Sequence, residues 1–217
     1  MTRIKNLIAI SFASMAGVIL LAGCEIEDPP PPPPSPPEIT SEIRDAYQDL
    51  VREYLHPEAL IPGARKRQAL EEIQRLRAEY QGTEHGPEAI SEAAEQLEDL
   101  IREAYYNRAW SLTIFSVQAL QTLEPNNTRF QRFHEQAVVR RNRPRAQVTG
   151  FFEDPEQDVI TVFMRVYLPA ENRIESVQVR EGEEFLGLRL IEVVGRNQGV
   201  RLQYMATEEE YQVPMRG

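Results

Sequence analysis

The stretch ITVFMRVYL, residues 160–168, decides the fold. Ile160, Val162, Met164, Val166 and Leu168 alternate with Thr161, Phe163, Arg165 and Tyr167, so one face is wholly apolar and the other mixed. A period of two is that of a half-buried β-strand. Pro169 and Asn172 close it. From about residue 146 the period changes to two, so the chain changes texture here.

Downstream, short apolar runs recur between turn residues. Strands are expected at 174–179, 188–194, 200–205 and 211–215, with 148–152 ahead of the set. Gly182, Gly187, Gly195 and Gly199 stand between runs, where a positive backbone φ is expected. About six strands in about seventy residues define a small all-β sandwich or barrel over 146–217.

Upstream, the period is that of a helix. Ile39, Ile43, Tyr47, Leu50 and Tyr54 share one face, and the prolines Pro57 and Pro62 with Gly63 end that helix. Ala69, Leu70, Ile73, Leu76 and Tyr80 mark a second, and Pro87 suits the first turn of a third, which carries Ile90, Ala94, Leu97, Ile101 and Tyr105. Helical texture continues to Leu123 with a break near Asn107, although residues 112–117 also pass for a strand. A short helix over 128–139 follows Pro125-Asn126-Asn127. The expected class is therefore α+β: an N-terminal helical bundle or helical hairpins over 38–140, an Arg-rich linker at 141–145, then the β-domain. The joins around residues 78–97 and 119–137 resemble those between tetratricopeptide repeats, so a repeat array and a plain bundle both remain open.

The N-terminus has a different texture again. Arg3 and Lys5 precede an almost charge-free apolar run that ends in Leu21-Ala22-Gly23-Cys24, the layout of an export signal over residues 1–23. The last four residues resemble the lipobox of bacterial lipoproteins. That resemblance implies cleavage before Cys24 and acylation of its sulfur and new amino group. Two or three acyl chains, at about 0.8 kcal/mol per buried methylene, hold a chain on a bilayer far better than one. Eight of the sixteen prolines follow between Pro29 and Pro37. Residues 24–37 thus read as a lipid anchor and an extended tether, reaching on the order of 40 Å at ~3.1 Å per residue. Whether the anchor sits in the inner or the outer membrane is open.

Composition excludes several functions. The net charge is −10, and the signal region holds two basic residues and no acidic one, so the exported part is more acidic still. Nucleic acid is not an expected partner. Cys24 is the only cysteine, so the folded part has no disulfide, thiolate nucleophile or Cys-based metal site. His56, His85 and His134 are isolated, no Gly-x-Ser-x-Gly elbow occurs, and the acidic runs at Glu183-Glu184 and Glu208–Glu210 fall in expected turns. No cofactor is expected and no enzyme.

Two local features remain. Arg129, Arg132, Arg140, Arg141, Arg143 and Arg145 face only Glu135 in their stretch; they read as a solvated linker with contact to the acidic helical region as its added role, and anionic lipid heads or an acidic partner are the alternatives. Trp110, Leu112 and Phe115 read as core at a junction, with an exposed hot spot as the alternative.

Within the β-domain the order of parts is specific. VQVREGEEFLGLRLIEVVGRNQGVRLQYMATEEEYQVPM, residues 177–215, has a Val-rich strand, the turn Gly182-Glu183, an apolar residue and Gly187, two further strands about a Gly-bounded turn, and a charged hairpin before a last short strand. It resembles the periplasmic β-domain of PilP-type lipoproteins of type IV pilus machines and GspC-type proteins of type II secretion. The resemblance implies a periplasmic, membrane-anchored scaffold that docks through this domain onto a pilus or secretion component. An exposed strand edge is the expected docking element, and 200–205 or 211–215 are the candidates, with Val200, Leu202, Tyr204, Tyr211 and Val213 as partner-binding residues. The alternative is a lipoprotein module that binds cell-wall polymer or assists outer-membrane protein assembly. In those pilus lipoproteins the N-terminal region is mostly disordered, whereas residues 38–139 read as ordered helices here.

Overall fold

Residues 32–154, 159–195 and 198–215 are described by the computed structural model of the chain. The expected signal segment, Cys24 and the first prolines of the expected tether lie outside the described residues.

Among the described residues, five helices come first: α1 (Pro36–Tyr54), α2 (Gly63–Tyr80), α3 (Gly86–Tyr106), α4 (Trp110–Leu123) and α5 (Gln131–Arg141). Helix α1 starts inside the Pro-rich run. Ser35 is its extended N-cap, and the Glu38 carboxylate accepts the Ser35 N–H at 2.7 Å and its hydroxyl at 2.8 Å. Pro36 then needs no intrahelical donor, and its fixed φ suits a first turn. Pro36 and Pro37, read from sequence as spacer, are helix. The same Ser35 bonds hold the Glu38 carboxyl below the usual range.

Helix α4 is the centre of the bundle. It packs against α1, α2, α3 and α5, and Leu112, Ile114, Phe115, Val117, Ala119 and Leu120 are all buried, as are Ser111, Thr113 and Ser116. A helix surrounded on all sides has no polar stripe, which is why 112–117 reads equally as a strand. Ile39, Ile43 and Tyr47 of α1, Ile73 of α2, and Leu97 and Ile101 of α3 complete the core. A helix enclosed by four others is a bundle rather than a stack of repeat pairs. Ser111 also serves the α1–α2 connection, because its hydroxyl accepts the Ile61 N–H at 3.1 Å.

The expected break at Asn107 has a defined form. Arg108 N–H donates to the Tyr105 carbonyl at 3.0 Å and Ala109 N–H to the Ala104 carbonyl at 2.9 Å. These two bonds make a Schellman motif, whose left-handed position usually holds glycine. Here Arg108 occupies it, at φ 57°. Arg108→Gly is therefore expected to raise stability by about 0.5–1 kcal/mol, read from urea unfolding.

Among the described residues, seven strands follow: β1 (Arg145–Asp154), β2 (Val159–Leu168), β3 (Arg173–Val179), β4 (Glu184–Phe185), β5 (Leu188–Val194), β6 (Gly199–Tyr204) and β7 (Glu209–Pro214). They form two antiparallel sheets, β1-β2-β3 and β4-β5-β6-β7, joined at one edge by a parallel bridge between Val148 and Met215. Val162, Met164, Val166 and Leu168 are buried as the alternation requires, and they share a core with Leu188, Leu190, Val200 and Leu202 of the second sheet. Gly182, Gly187 and Gly195 have positive φ. Gly199 does not, and its reason is space: a Cβ there would sit 2.5 Å from the Val213 carbonyl oxygen.

Both parts belong to one compact unit, Pro34–Gly217. Helix α5 runs to Arg141 and β1 starts at Arg145, so only Asn142, Arg143 and Pro144 connect them. The Tyr204 hydroxyl donates to the Val139 carbonyl at 3.1 Å, and Tyr211 reaches toward the Pro144 carbonyl at 3.5 Å.

Burial pushes the Tyr47 phenol up to about 12, with Arg44 opposing. Its unfolded value is about 10. A raised phenol contributes stability that is fully present below about pH 10 and is lost as pH climbs through about 12. The loss is on the order of 2–3 kcal/mol for this one residue. Tyr47→Phe should flatten that part of the alkaline decline in denaturant titrations at stepped pH.

Candidate functional site

The five proposed partner-binding residues are placed inward. Strand β6 is not an edge, because it pairs with β5 on one side and β7 on the other. Val200, Leu202, Tyr204 and Val213 are buried, and Tyr211 packs against the same core. The alternation that marked them as strand residues is the alternation that buries them. The phenols of Tyr204 and Tyr211 face the α5–β1 junction, and burial raises both, Tyr211 to about 12 with Arg143 opposing. Strand β7 does end its sheet, apart from the bridge at Met215.

The arginine cluster divides. Arg129 leaves the junction and joins Arg102 on Glu98, at 2.8 and 3.1 Å, with both guanidinium groups over the Phe130 ring. Arg140, Arg141, Arg143 and Arg145 gather at a pocket of about 150 Å³ between the helices and the β-domain, whereas Arg132 is exposed and does not line it. Its wall is built from four separate places in the sequence. Residues 57–60 of the α1–α2 connection supply Glu58 and Leu60, and the α3–α4 corner supplies Arg108 and Trp110. The end of α5 and the start of β1 supply Arg140, Arg141, Arg143 and Arg145, and Glu209 opens β7.

Two of these arginines are held in place by aromatic rings. Arg140 lies over Trp110 at 5.4 Å and Arg143 over Tyr211 at 4.7 Å. Each such contact contributes about 0.5–1 kcal/mol at an exposed site. Glu209 also holds both, at 3.3 and 3.7 Å, and Glu58 is 3.9 Å from Arg145. One carboxylate shared by two guanidinium groups leaves positive charge in excess. Among the described residues, no carboxylate pairs with Arg108 or Arg141; Arg141 donates instead to the neutral Asn142 side chain at 3.3 Å.

The positive field extends onto the neighbouring helix faces. Burial, aided by Arg141, holds the Lys66 ammonium below its ordinary value. His134 is also lowered, chiefly by burial and then by Lys66 and Arg141, with Glu135 opposing.

Arg108 and Glu58 are not singled out in the sequence, and Glu209 reads there only as part of an acidic turn. The signal available was an arginine following Asn107 at a helix end, where glycine is the common choice. Trp110 is half-buried rather than core, while Leu112 and Phe115 are fully buried.

On the β-domain, large apolar side chains stand in solvent on the outer face of the three-stranded sheet. Phe152 and Ile174 are each 58 % exposed. Ile174 pairs across from Tyr167, and Phe152 lies diagonal to Phe163, which faces Gly150 in the register. Among the described residues, no cluster of His, Cys, Asp or Glu is arranged to hold a metal ion, and no helix is long and apolar enough to cross a membrane. No family model, curated protein or solved structure matches the chain.

Proposed function

We propose that this chain is a lipid-anchored periplasmic scaffold that works by binding rather than catalysis, docking through its β-domain onto a component of a type IV pilus or type II secretion machine. Acyl groups on Cys24 hold it at the bilayer and the proline run spaces the folded body from the surface. The observation that carries the docking reading is the exposure of Phe152 and Ile174, 58 % each, on the outer sheet face, each beside a half-buried aromatic, Phe163 and Tyr167, with exposed Arg165 between the two pairs. Aromatic and aliphatic side chains left in water at this density mark contact surfaces. The expected docking element thus moves from a strand edge to a sheet face.

The test is crosslinking in native membranes followed by capture through a tag after Gly217. Recovery of a secretin or of pilus inner-membrane proteins supports the proposal. Recovery of cell-wall fragments or barrel-assembly proteins instead transfers the function to a wall-binding or outer-membrane assembly module.

A further inference from the structure

We infer that the arginine-lined pocket at the helix–β junction binds a phosphate group, presented either by an anionic lipid headgroup or by a free phosphate. This inference is independent of the pilus or secretion reading, because it concerns a different surface from the outer sheet face.

Three observations converge on it. The first is charge. Five arginines line the pocket against two glutamates, in a chain whose net charge is −10. Collecting positive charge in one concavity of an acidic protein costs repulsion that an anion relieves. Guanidinium groups are planar forks that suit phosphate oxygens two at a time, and arginine stays charged at any pH the protein meets.

The second is backbone strain. Among the described residues, five non-glycine positions have positive φ, and three of them lie at this pocket or next to it: Arg108, Glu58, and Glu208 beside Glu209. A left-handed position held by arginine where glycine fits better signals that the side chain serves something other than stability. Arg108 is the clearest case, since its helix end forms the full Schellman pattern around it.

The third is preorganisation and size. Arg140 and Arg143 are fixed by ring faces and by Glu209, so little side-chain order is lost on binding. A pocket of about 150 Å³ has room for a phosphate head.

Trp110 is the only tryptophan in the chain and lies in the pocket wall under Arg140, so its fluorescence reads occupancy. The experiment titrates the full chain in neutral detergent with inorganic phosphate at constant ionic strength, and in parallel with phosphatidylglycerol against phosphatidylcholine in the same micelles. A saturable Trp110 change is expected. Its appearance with inorganic phosphate assigns a free anion, and its appearance only with phosphatidylglycerol assigns a lipid headgroup. Arg141→Gln is expected to weaken the response about tenfold, as for loss of one charge-assisted bond. Arg108→Gly should weaken it similarly while melting no lower than the unaltered chain, which separates a binding role from a folding role. No saturable change with either probe, or an unchanged response in both variants, overturns the inference.

Discussion

Gly86→Ala is expected to destabilise the chain by about 3 kcal/mol or more, lowering its melting temperature by roughly 6–12 °C. A Cβ on Gly86 would lie 1.6 Å from the Tyr80 carbonyl oxygen and 2.5 Å from its carbon, with Thr83 Oγ1 at 2.8 Å. All three distances are far inside van der Waals contact. The carbonyl cannot simply rotate away, because it accepts both the Thr83 N–H and the Thr83 hydroxyl at 2.9 Å. Relief therefore requires the end of α2 to part from the start of α3. That opens the packing around buried Tyr80 and pulls on its 2.8 Å bond to Glu42. Gly82→Ala is the control, since a Cβ there has nothing within 4 Å, and its effect should stay within about 0.5 kcal/mol or be slightly stabilising.

Phe115→Ala should cost about 3–5 kcal/mol in equilibrium unfolding. Phe115 is fully buried on the central helix α4, with its ring centroid 6.5 Å from that of Tyr47 on α1. Four helices pack around α4 and each also packs against at least one other, so no single neighbour can collapse into the vacated space. The lost contacts and the residual cavity then add. Phe115→Leu, which keeps most of the volume, should cost well under half as much.

Helices α1 and α3 were legible because one face of each is buried and the other wet, which writes a 3.6-residue period into the sequence. Helix α4 was ambiguous for the opposite reason: with Ser111, Thr113 and Ser116 buried beside its aliphatic residues, no wet face remains to set a period. The strands were legible from period two, and 188–194 was located to the residue. Strand order was not. Val200 and Leu202 alternate identically whether β6 lies at an edge or in the middle of a sheet, because pairing uses backbone groups that every residue carries. The arginine pocket was half legible. The run from Arg140 to Arg145 was conspicuous as charge, but Glu58, Arg108 and Glu209 come from three other places and meet only once the chain has folded. The short link from Arg141 to Arg145 turned an expected linker into a structural joint, with Tyr204 and Tyr211 hydrogen-bonding across it.

The most direct test of docking by the outer sheet face is the double substitution Phe152→Glu with Ile174→Glu in the native host. Both side chains are largely exposed, so the variant should express, reach the membrane and melt as the unaltered chain does. Crosslinked capture through the C-terminal tag is predicted to lose the secretin or pilus component at least tenfold, as expected when a contact centre is made charged. Undiminished capture of that component by a folded, membrane-bound double variant would contradict docking through this face.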